Sequence, residues 1–393
     1  MKKIVLPALV SLFMAGAFAY DFSALITDSS SLSFNEEKYD KRQLKQIETF
    51  TGAFTATLGK KKQTFFAAEG SVQHKLEAKF GGDSSSENNI IADLSLLKLS
   101  TIAKIDNSRN VQVALGRYFY SDLSGSVHAQ NSDGVSISYS SPSFVAMVYG
   151  GYSGLQNVKN VQVLTSKGKV WAPSDEKKVY DFTAPYAVGS LCLSAPYLFL
   201  NQTIAFEGLG IFNVNGPADL SDDDKRLYGT FSINGPLSSS LFYGLSGTAQ
   251  TIDFSDFGIL GKFSLTYFAP YKNSTLGFAA SYASGESGKI SSFRGFSKTT
   301  GCLSKDEPVF TEMLKIGVSG SIIPVSKLFL SLGADLVFKM PENSAEYYGF
   351  QVSAIAKYQF FSDLNMTLNV NQFMGKYSNA SKTEIALGLA IAL

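Results

Sequence analysis

The sequence predicts an all-β fold, a single antiparallel up-and-down transmembrane β-barrel of about eighteen strands. Three observations carry this. Apolar and polar residues alternate with period two along most of the chain. The links between the alternating segments are short and long in turn. An export segment opens the chain, and no later stretch holds the run of about 18 apolar residues that a transmembrane helix needs. Composition agrees: charged residues make up 17%, against the roughly 25% usual in soluble domains. Aromatics reach 13%, and a net charge of +1 gives no field that points to nucleic acid.

Residues 1–19 read as a signal peptide. Lys2 and Lys3 form its positive start, an apolar run follows, and Ala17-Phe18-Ala19 is a small-x-small cleavage site. Cleavage after Ala19 leaves residues 20–393 as one outer-membrane barrel. Residues 22–34 supply a first strand, and a second runs from Gln46 to a link at 59–63. The clearest segment is 66–80. Phe66, Ala68, Gly70, Val72, His74, Leu76, Ala78 and Phe80 share one face, and Glu69, Lys75, Glu77 and Lys79 lie on the other. A helix scatters both sets, whereas a strand separates them. Weaker segments lie at 90–105, 110–120, 186–195 and 200–212, with good ones at 134–141 and 144–152 between them. Clear ones return at 227–234, 241–250, 259–268, 276–284, 314–322, 328–339 and 348–360. Segment 364–372 is weaker, and 385–393 places Ile385, Leu387, Leu389, Ile391 and Leu393 on one side. In 348–360, Tyr348 is expected on the apolar face with Phe350 and Val352.

Five short links carry Pro142, Pro196, Pro236, Pro270 or Pro324. Proline presets a turn and stops a strand. Most of the intervening links are longer, above all 154–185 and 285–312. Short turns on the periplasmic side and long loops outside are the outer-membrane arrangement. Seventeen segments follow Gln46, and both ends of the chain belong in the periplasm, so segment 22–34 completes an even count of eighteen. Sixteen is the alternative if one weak pair is misread.

Little in the sequence points to chemistry. His74 is expected on the apolar face near the outer rim, and His128 in an outer loop, neither with a serine and an acid beside it. Arg117 has the parity of a lipid-facing residue, snorkelling to headgroups or turned inward by a bulge rather than holding a solute. Asp222, Asp223 and Asp224 are expected in a solvated outer loop rather than a calcium site. Trp171 stands alone in a loop, so a tryptophan-lined sugar track has no support. Cys192 and Cys302 are expected unpaired. No catalytic residue, metal ligand or cofactor is expected, and the chain is not read as an enzyme.

The lumen is where charge is expected. Lys75, Lys79, Lys98, Lys104, Lys262, Lys315, Lys339 and Lys357 face away from lipid, with Glu69, Glu77 and Asp335 on the same side. Charges inside a barrel stay hydrated, while a mid-bilayer lysine on the lipid face costs about 2–4 kcal/mol. The excess of lysine predicts a mild anion preference.

The stretch from Ala114 to Gly125, with Leu115-Gly116-Arg117 and Asp122, followed by Asp133-Gly134-Val135 and an alternating strand, resembles the general bacterial porins. The usage of Lys, Phe and Ser is similar to that of spirochaete proteins. The chain departs from porins in ending on Leu393 rather than Phe and in lacking a Pro-Glu-Phe-Gly-Gly constriction signature. The resemblance implies a pore for passive diffusion of small hydrophilic solutes, inserted by the barrel-assembly machinery, surrounded by outer-membrane lipid, with an oligomer allowed. Two other readings compete. One is a surface adhesin or structural protein binding through its long loops. The other is a hydrophobic-substrate channel of the fatty-acid transporter type, which needs an N-terminal hatch. A TonB-type receptor needs a plug domain for which the chain has no room.

Overall fold

Alternating segments of this length can satisfy their backbone groups in hydrocarbon only by pairing edge to edge until the sheet closes. The computed structural model shows that closure. It describes residues 17–35, 42–59, 63–80, 84–175, 177–214, 224–304, 306, 308–377 and 380–393. The strands are β1 (Ala17–Asn35), β2 (Arg42–Leu58), β3 (Thr64–Phe80), β4 (Ser85–Lys104), β5 (Asn110–Ser121), β6 (Ala129–Ser140), β7 (Val145–Tyr152), β8 (Tyr186–Phe199) and β9 (Gln202–Asn213). They continue as β10 (Lys225–Pro236), β11 (Leu241–Ile252), β12 (Asp256–Ala269), β13 (Ser274–Ala283), β14 (Met313–Val325), β15 (Leu328–Lys339), β16 (Glu346–Gln359), β17 (Leu364–Gly375) and β18 (Lys382–Ala392). Each pairs antiparallel with its sequence neighbours, and β18 returns to β1 through the register Leu25↔Ala392 to Asn35↔Lys382. The barrel therefore has eighteen strands. Short 3-10 turns at Tyr271–Asn273 and Pro341–Asn343 interrupt the strands.

All five prolines lie near the end of an even-numbered strand or in the turn after it, Pro196, Pro236 and Pro324 within β8, β10 and β14 and Pro142 and Pro270 in turns, so they share one rim. The β4–β5 turn on that rim shows how such a link is fixed. The Asp106 carboxylate accepts from the Ser108 and Arg109 amides at 2.9 and 2.8 Å and pairs with the Arg109 side chain. That guanidinium, with the Ser108 amide, holds the Asp106 carboxyl down at about 2.

The wall is apolar outward. Phe50, Val72, Ile90, Leu115, Phe206, Leu276, Val318 and Leu332 stand exposed on the outer face. A water-soluble chain does not spread large apolar side chains around its whole circumference, and a bilayer is the solvent that accepts them.

The register shifts at five places among the described strands, and two of these shifts bear on which residues face the lumen. Between β15 and β16 the register passes from Val337↔Gly349 to Phe338↔Tyr347, leaving Tyr348 as a bulged extra residue. Tyr348 consequently points inward, where its hydroxyl reaches Ser304 at 3.4 Å and its ring packs on buried Phe373. The lipid-facing assignment from alternation is corrected: one extra residue flips the face, and Tyr347 takes the outward place against Phe338. A second bulge sits at Ser95, between the pairs Glu69↔Leu96 and Gly70↔Leu94.

Candidate pore lining and constriction

Three outer links turn into the barrel. The first is the short loop 122–128 at the tip of the β5–β6 hairpin. Up to Leu97↔Arg117 strand β5 follows β4, and beyond it β5 pairs with β6 alone. Gly116 marks the departure, with φ of 117°. A side chain there would collide with the Leu97 carbonyl oxygen, so this kink requires glycine. The loop is organised by one carboxylate. Asp122 accepts from the Ser124, Val127 and His128 amides at 2.8, 3.0 and 2.8 Å. The hairpin then crosses to the far wall. The Tyr120 hydroxyl and the Leu123 amide both donate to Glu207 on β9, at 2.6 and 2.5 Å, and Lys262 on β12 donates to the Ser124 carbonyl at 2.8 Å. The Tyr120 ring stacks on Tyr149 of β7 at 3.8 Å between centroids.

Residues 153–185 and 284–312 pack on this hairpin. The Phe296 and Ser297 amides donate to the Val127 carbonyl. Val163, Phe293, Phe296 and Cys302 join Tyr118, Tyr120, Ile211, Tyr228 and Leu260 in one buried apolar cluster, with Trp171 at its edge. Arg226 of β10 ties the two links together. It donates to the Leu164 carbonyl at 2.8 Å and the Gly295 carbonyl at 3.2 Å, pairs with Asp224 at 2.9 Å, and is fully buried. Asp224 also accepts from the Tyr186 hydroxyl and the Ser166 amide.

Several sequence expectations change here. Asp224 is a buried partner of Arg226, not part of a solvated loop, while Asp222 and Asp223 lie outside the described residues. His128 is buried in the lumen against Phe296 rather than displayed outside, and burial pushes its imidazole down to about 4. His74 is on the apolar outer face as expected, toward the long-loop end of β3. Arg117 keeps its outward parity yet is buried. Its guanidinium grips Asp133 at 2.9 and 2.8 Å and donates to the Leu94 and Leu155 carbonyls and the Tyr180 hydroxyl. Its donors are thus spent on structure. Cys302 does enter the lumen with its loop, and both cysteines are free.

The eleven charges named from sequence fall on one face of the sheet. Direct cross-strand pairs share a face, and the register joins Lys75, Glu77 and Lys79 of β3 through Glu69 and Lys98 to the inward residues of β4 and β5. Lys104 follows Lys98 in parity on β4. Lys262 meets the inward loop directly. Lys315 pairs with Asp335 at 3.0 Å, Lys339 lies 4.4 Å over the inward Tyr348 ring, and Lys357 follows Gln351, which holds the inward Leu303 amide. The same face carries further charges that sequence reading missed. Lys45, Arg226 and Lys382 are basic, and Asp21, Glu87, Asp93, Glu207, Asp256, Glu346 and Glu384 are acidic. Most of them, such as Asp21, Lys45, Glu87, Arg226, Lys382 and Glu384, lie just outside the segments read from alternation, and Asp93 and Glu207 lie on two of the weaker ones.

The inward loops divide the lumen unequally. Inward residues of β5 and β8–β12, such as Ala114, Val188, Leu209, Thr230, Thr248 and Gln250, are buried beneath them. Inward residues of β1–β3, such as Thr27, Ser31, Thr49, Thr51, Ser71 and Gln73, are not, and nor are Ser353, Asn369, Asn371 and Ala386 of β16–β18. The open passage is therefore eccentric, running along β16–β18 and β1–β3. Its lining is hydroxyl, amide and charge. Below the hairpin a recess of about 360 Å³ opens beside Leu123, Asn234, Ser246, Lys262 and Ser281.

No protein-family model matches this chain, and no curated protein matches it in sequence. Solved structures do match in shape. Pseudomonas aeruginosa OccK5 (OpdH) aligns over 95% of this chain and 98% of its own, at 11% identity and a TM-score of 0.60. Acinetobacter baumannii OccAB4 aligns over 96% and 98%, at 12% identity and 0.61. A BenF-like porin from Pseudomonas fluorescens Pf-5 aligns over 96% and 99%, at 13% identity and 0.57. In fold, though at identities this low in fold alone, the chain is a barrel of the outer-membrane porin type.

Proposed function

We propose that this protein is an outer-membrane porin through which small hydrophilic solutes diffuse passively. The observation that carries the reading is the unequal lumen. One half is filled by loops with an apolar core of their own, and the other keeps a wall of Ser, Thr, Asn and Gln open along its length. A wall of that chemistry holds water and passes polar solutes, and the loop mass narrows it. The similarity in shape to a BenF-like porin supports the same reading. The adhesin alternative loses support because the two longest links commit Val161, Val163, Phe293, Phe296 and Phe310 to the buried cluster inside the barrel. A hydrophobic-substrate channel fits a passage lined by hydroxyls poorly.

We further propose that the pore prefers anions, though less than lysine counting on clear strands suggests. Seven acids and three bases join the inward face once every strand is in register. Bases still exceed acids, and several are already paired, as Lys75 is with Glu77 and Lys382 with Glu384. A field of that size is screened over about 8–10 Å at physiological salt. No chemistry is assigned to the pore, export is by cleavage after Ala19, and insertion is by the barrel-assembly machinery. Purified protein in a planar bilayer tests the main reading: discrete conductance steps are expected, and a barrel that inserts without conducting overturns it. Mass spectrometry of outer-membrane material should give a chain beginning at Tyr20, and a retained Met1 refutes the cleavage.

A further inference from the structure

Beneath the constriction hairpin the inner wall changes character row by row. Register aligns Thr230, Thr248, Leu260 and Ala283 across β10–β13, and all four are buried. The next inward row toward the short turns is Ser232, Ser246, Lys262 and Ser281. After it come Asn234, Gly244, Ser264 and Ala279, and of these Asn234, Ser264 and Ala279 are exposed. The two lower rows, with Leu123 of the hairpin, line the recess of about 360 Å³. The recess is therefore blind. The buried row shuts it on the long-loop side, and it opens toward the short turns. It also lies across the lumen from the open passage along β16–β18 and β1–β3.

Its polar groups are not used up by the fold. Ser232 is 6% exposed, and its hydroxyl has no hydrogen-bond partner. Leaving a buried hydroxyl unpaired is costly, and a molecule that bonds to it removes that cost. Lys262 spends one donor on the Ser124 carbonyl at 2.8 Å, and an ammonium has three. This one cation does not make an anion site, because two buried carboxylates flank the same hairpin tip. Asp122 accepts from the Ser124, Val127 and His128 amides, and Glu207 from the Tyr120 hydroxyl and the Leu123 amide. The local charge is thus not positive, while the Lys262 ammonium itself turns cations away. What the recess offers is hydroxyl and amide groups that both donate and accept. Their complement is a neutral molecule carrying several hydroxyls. Gly244 and Ala279 leave the room for it, and about 360 Å³ is within the lower part of the range of small-molecule sites, about 300–1,000 Å³.

We propose that this recess binds a small neutral polyol, which enters from the short-turn side and sits off the open passage. The proposal rests on the lumen being water-filled, which conductance scores separately, because binding is measured on the barrel in detergent. The test is a saturation-transfer NMR titration of sorbitol onto the full chain in an amine-oxide detergent, which carries no sugar of its own. Gluconate serves as the anion of similar size. Wild type is expected to bind sorbitol in preference to gluconate. Ser232→Ala removes only the buried hydroxyl and is expected to weaken sorbitol about fivefold, the worth of one hydrogen bond. Gly244→Leu, whose Cβ would start 2.9 Å from the Ser264 hydroxyl, fills the recess. It is expected to abolish binding while heat-modifiable mobility and conductance stay as in wild type. Sorbitol bound by a barrel that does not conduct supports the site and counts against the porin reading alone. Sorbitol that fails to bind, gluconate that binds more tightly, or a Ser232→Ala or Gly244→Leu protein that binds sorbitol as wild type does overturns the proposal. A folded Gly244→Leu channel of reduced conductance puts the recess on the passage and overturns its off-path location.

Discussion

Arg117 and Asp133 face each other across β5 and β6 in a two-pronged ion pair, at 2.9 and 2.8 Å, one residue beyond the kink at Gly116. The pair sits where the constriction hairpin leaves the wall. Arg117 also holds Leu155 and Tyr180 of the 153–185 link, so one guanidinium fixes both the root of the hairpin and the segment beside it. Removing one partner of a buried pair leaves the other charge uncompensated, which costs about 3–5 kcal/mol. Arg117→Leu is therefore expected to free the hairpin and give larger, noisier conductance steps. The double variant Arg117→Leu with Asp133→Leu should be less destabilised than the single one. Additive losses in thermal unfolding of the two single variants count against this coupling.

Gly116 makes a companion case. Its φ of 117° and the Leu97 carbonyl beside it exclude a side chain. Gly116→Val is expected to straighten β5 and displace the hairpin, lowering the midpoint of heat modification and raising conductance. A variant with wild-type conductance and midpoint shows that the kink does not set the constriction.

Much of this barrel is legible in the sequence because period-two alternation is a local signal. Segment 66–80 reads on its own, and parity of short and long links then counts the strands. The five proline turns locate a rim without any tertiary information. The constriction is not legible for the opposite reason. Lys262 finds the Ser124 carbonyl, and Arg226 finds Leu164 and Gly295, each across more than sixty residues of chain, and no pattern around those residues announces the partner. Tyr348 shows a third limit, since one bulged residue reverses a face while the local alternation stays intact.

His128 gives the pore a dependence on acid. Burial against Phe296 and Tyr120 holds its imidazole at about 4, against an ordinary value near 6.5. Because the folded value is the lower one, the undocked loop takes up the proton first as pH falls. Docking is at full strength above about 6.5, weakens between 6.5 and about 4, and changes no further below that. At about 1.4 kcal/mol per unit the loss approaches roughly 3 kcal/mol. Acidification from pH 7 to 4.5 is expected to add flicker to the open channel, and His128→Phe should abolish the added flicker. The same response in His128→Phe assigns it elsewhere.

The cysteines test the packing of the 284–312 link. Cys302 is 3% exposed in the loop core, and burial pushes its thiol up to about 11. A thiol both covered and protonated reacts slowly. Maleimide at pH 7.5 is expected to leave Cys302 unmodified in the folded barrel, with both cysteines alkylated after denaturation and no reductant required. Rapid labelling of Cys302 shows the link undocked, and a Cys192–Cys302 peptide in the digest overturns their free state.

Lys357 is the cleanest probe of lumen charge. It sits on β16, opposite Phe329 and Thr367 in register, on the side of the barrel that the loops leave open. Lys262, by contrast, is engaged with the constriction hairpin, and changing it alters structure and field together. Lys357→Glu changes the inward charge by two units without touching a loop. The side chain is exposed, so the effect on stability should stay within about 0.5 kcal/mol. The reversal potential under a potassium chloride gradient should shift toward cations, and the shift should shrink as salt rises and screening shortens. Lys357→Gln should move it about half as far. A reversal potential unchanged in both variants places the selective field away from β16 and returns the anion preference to the loops.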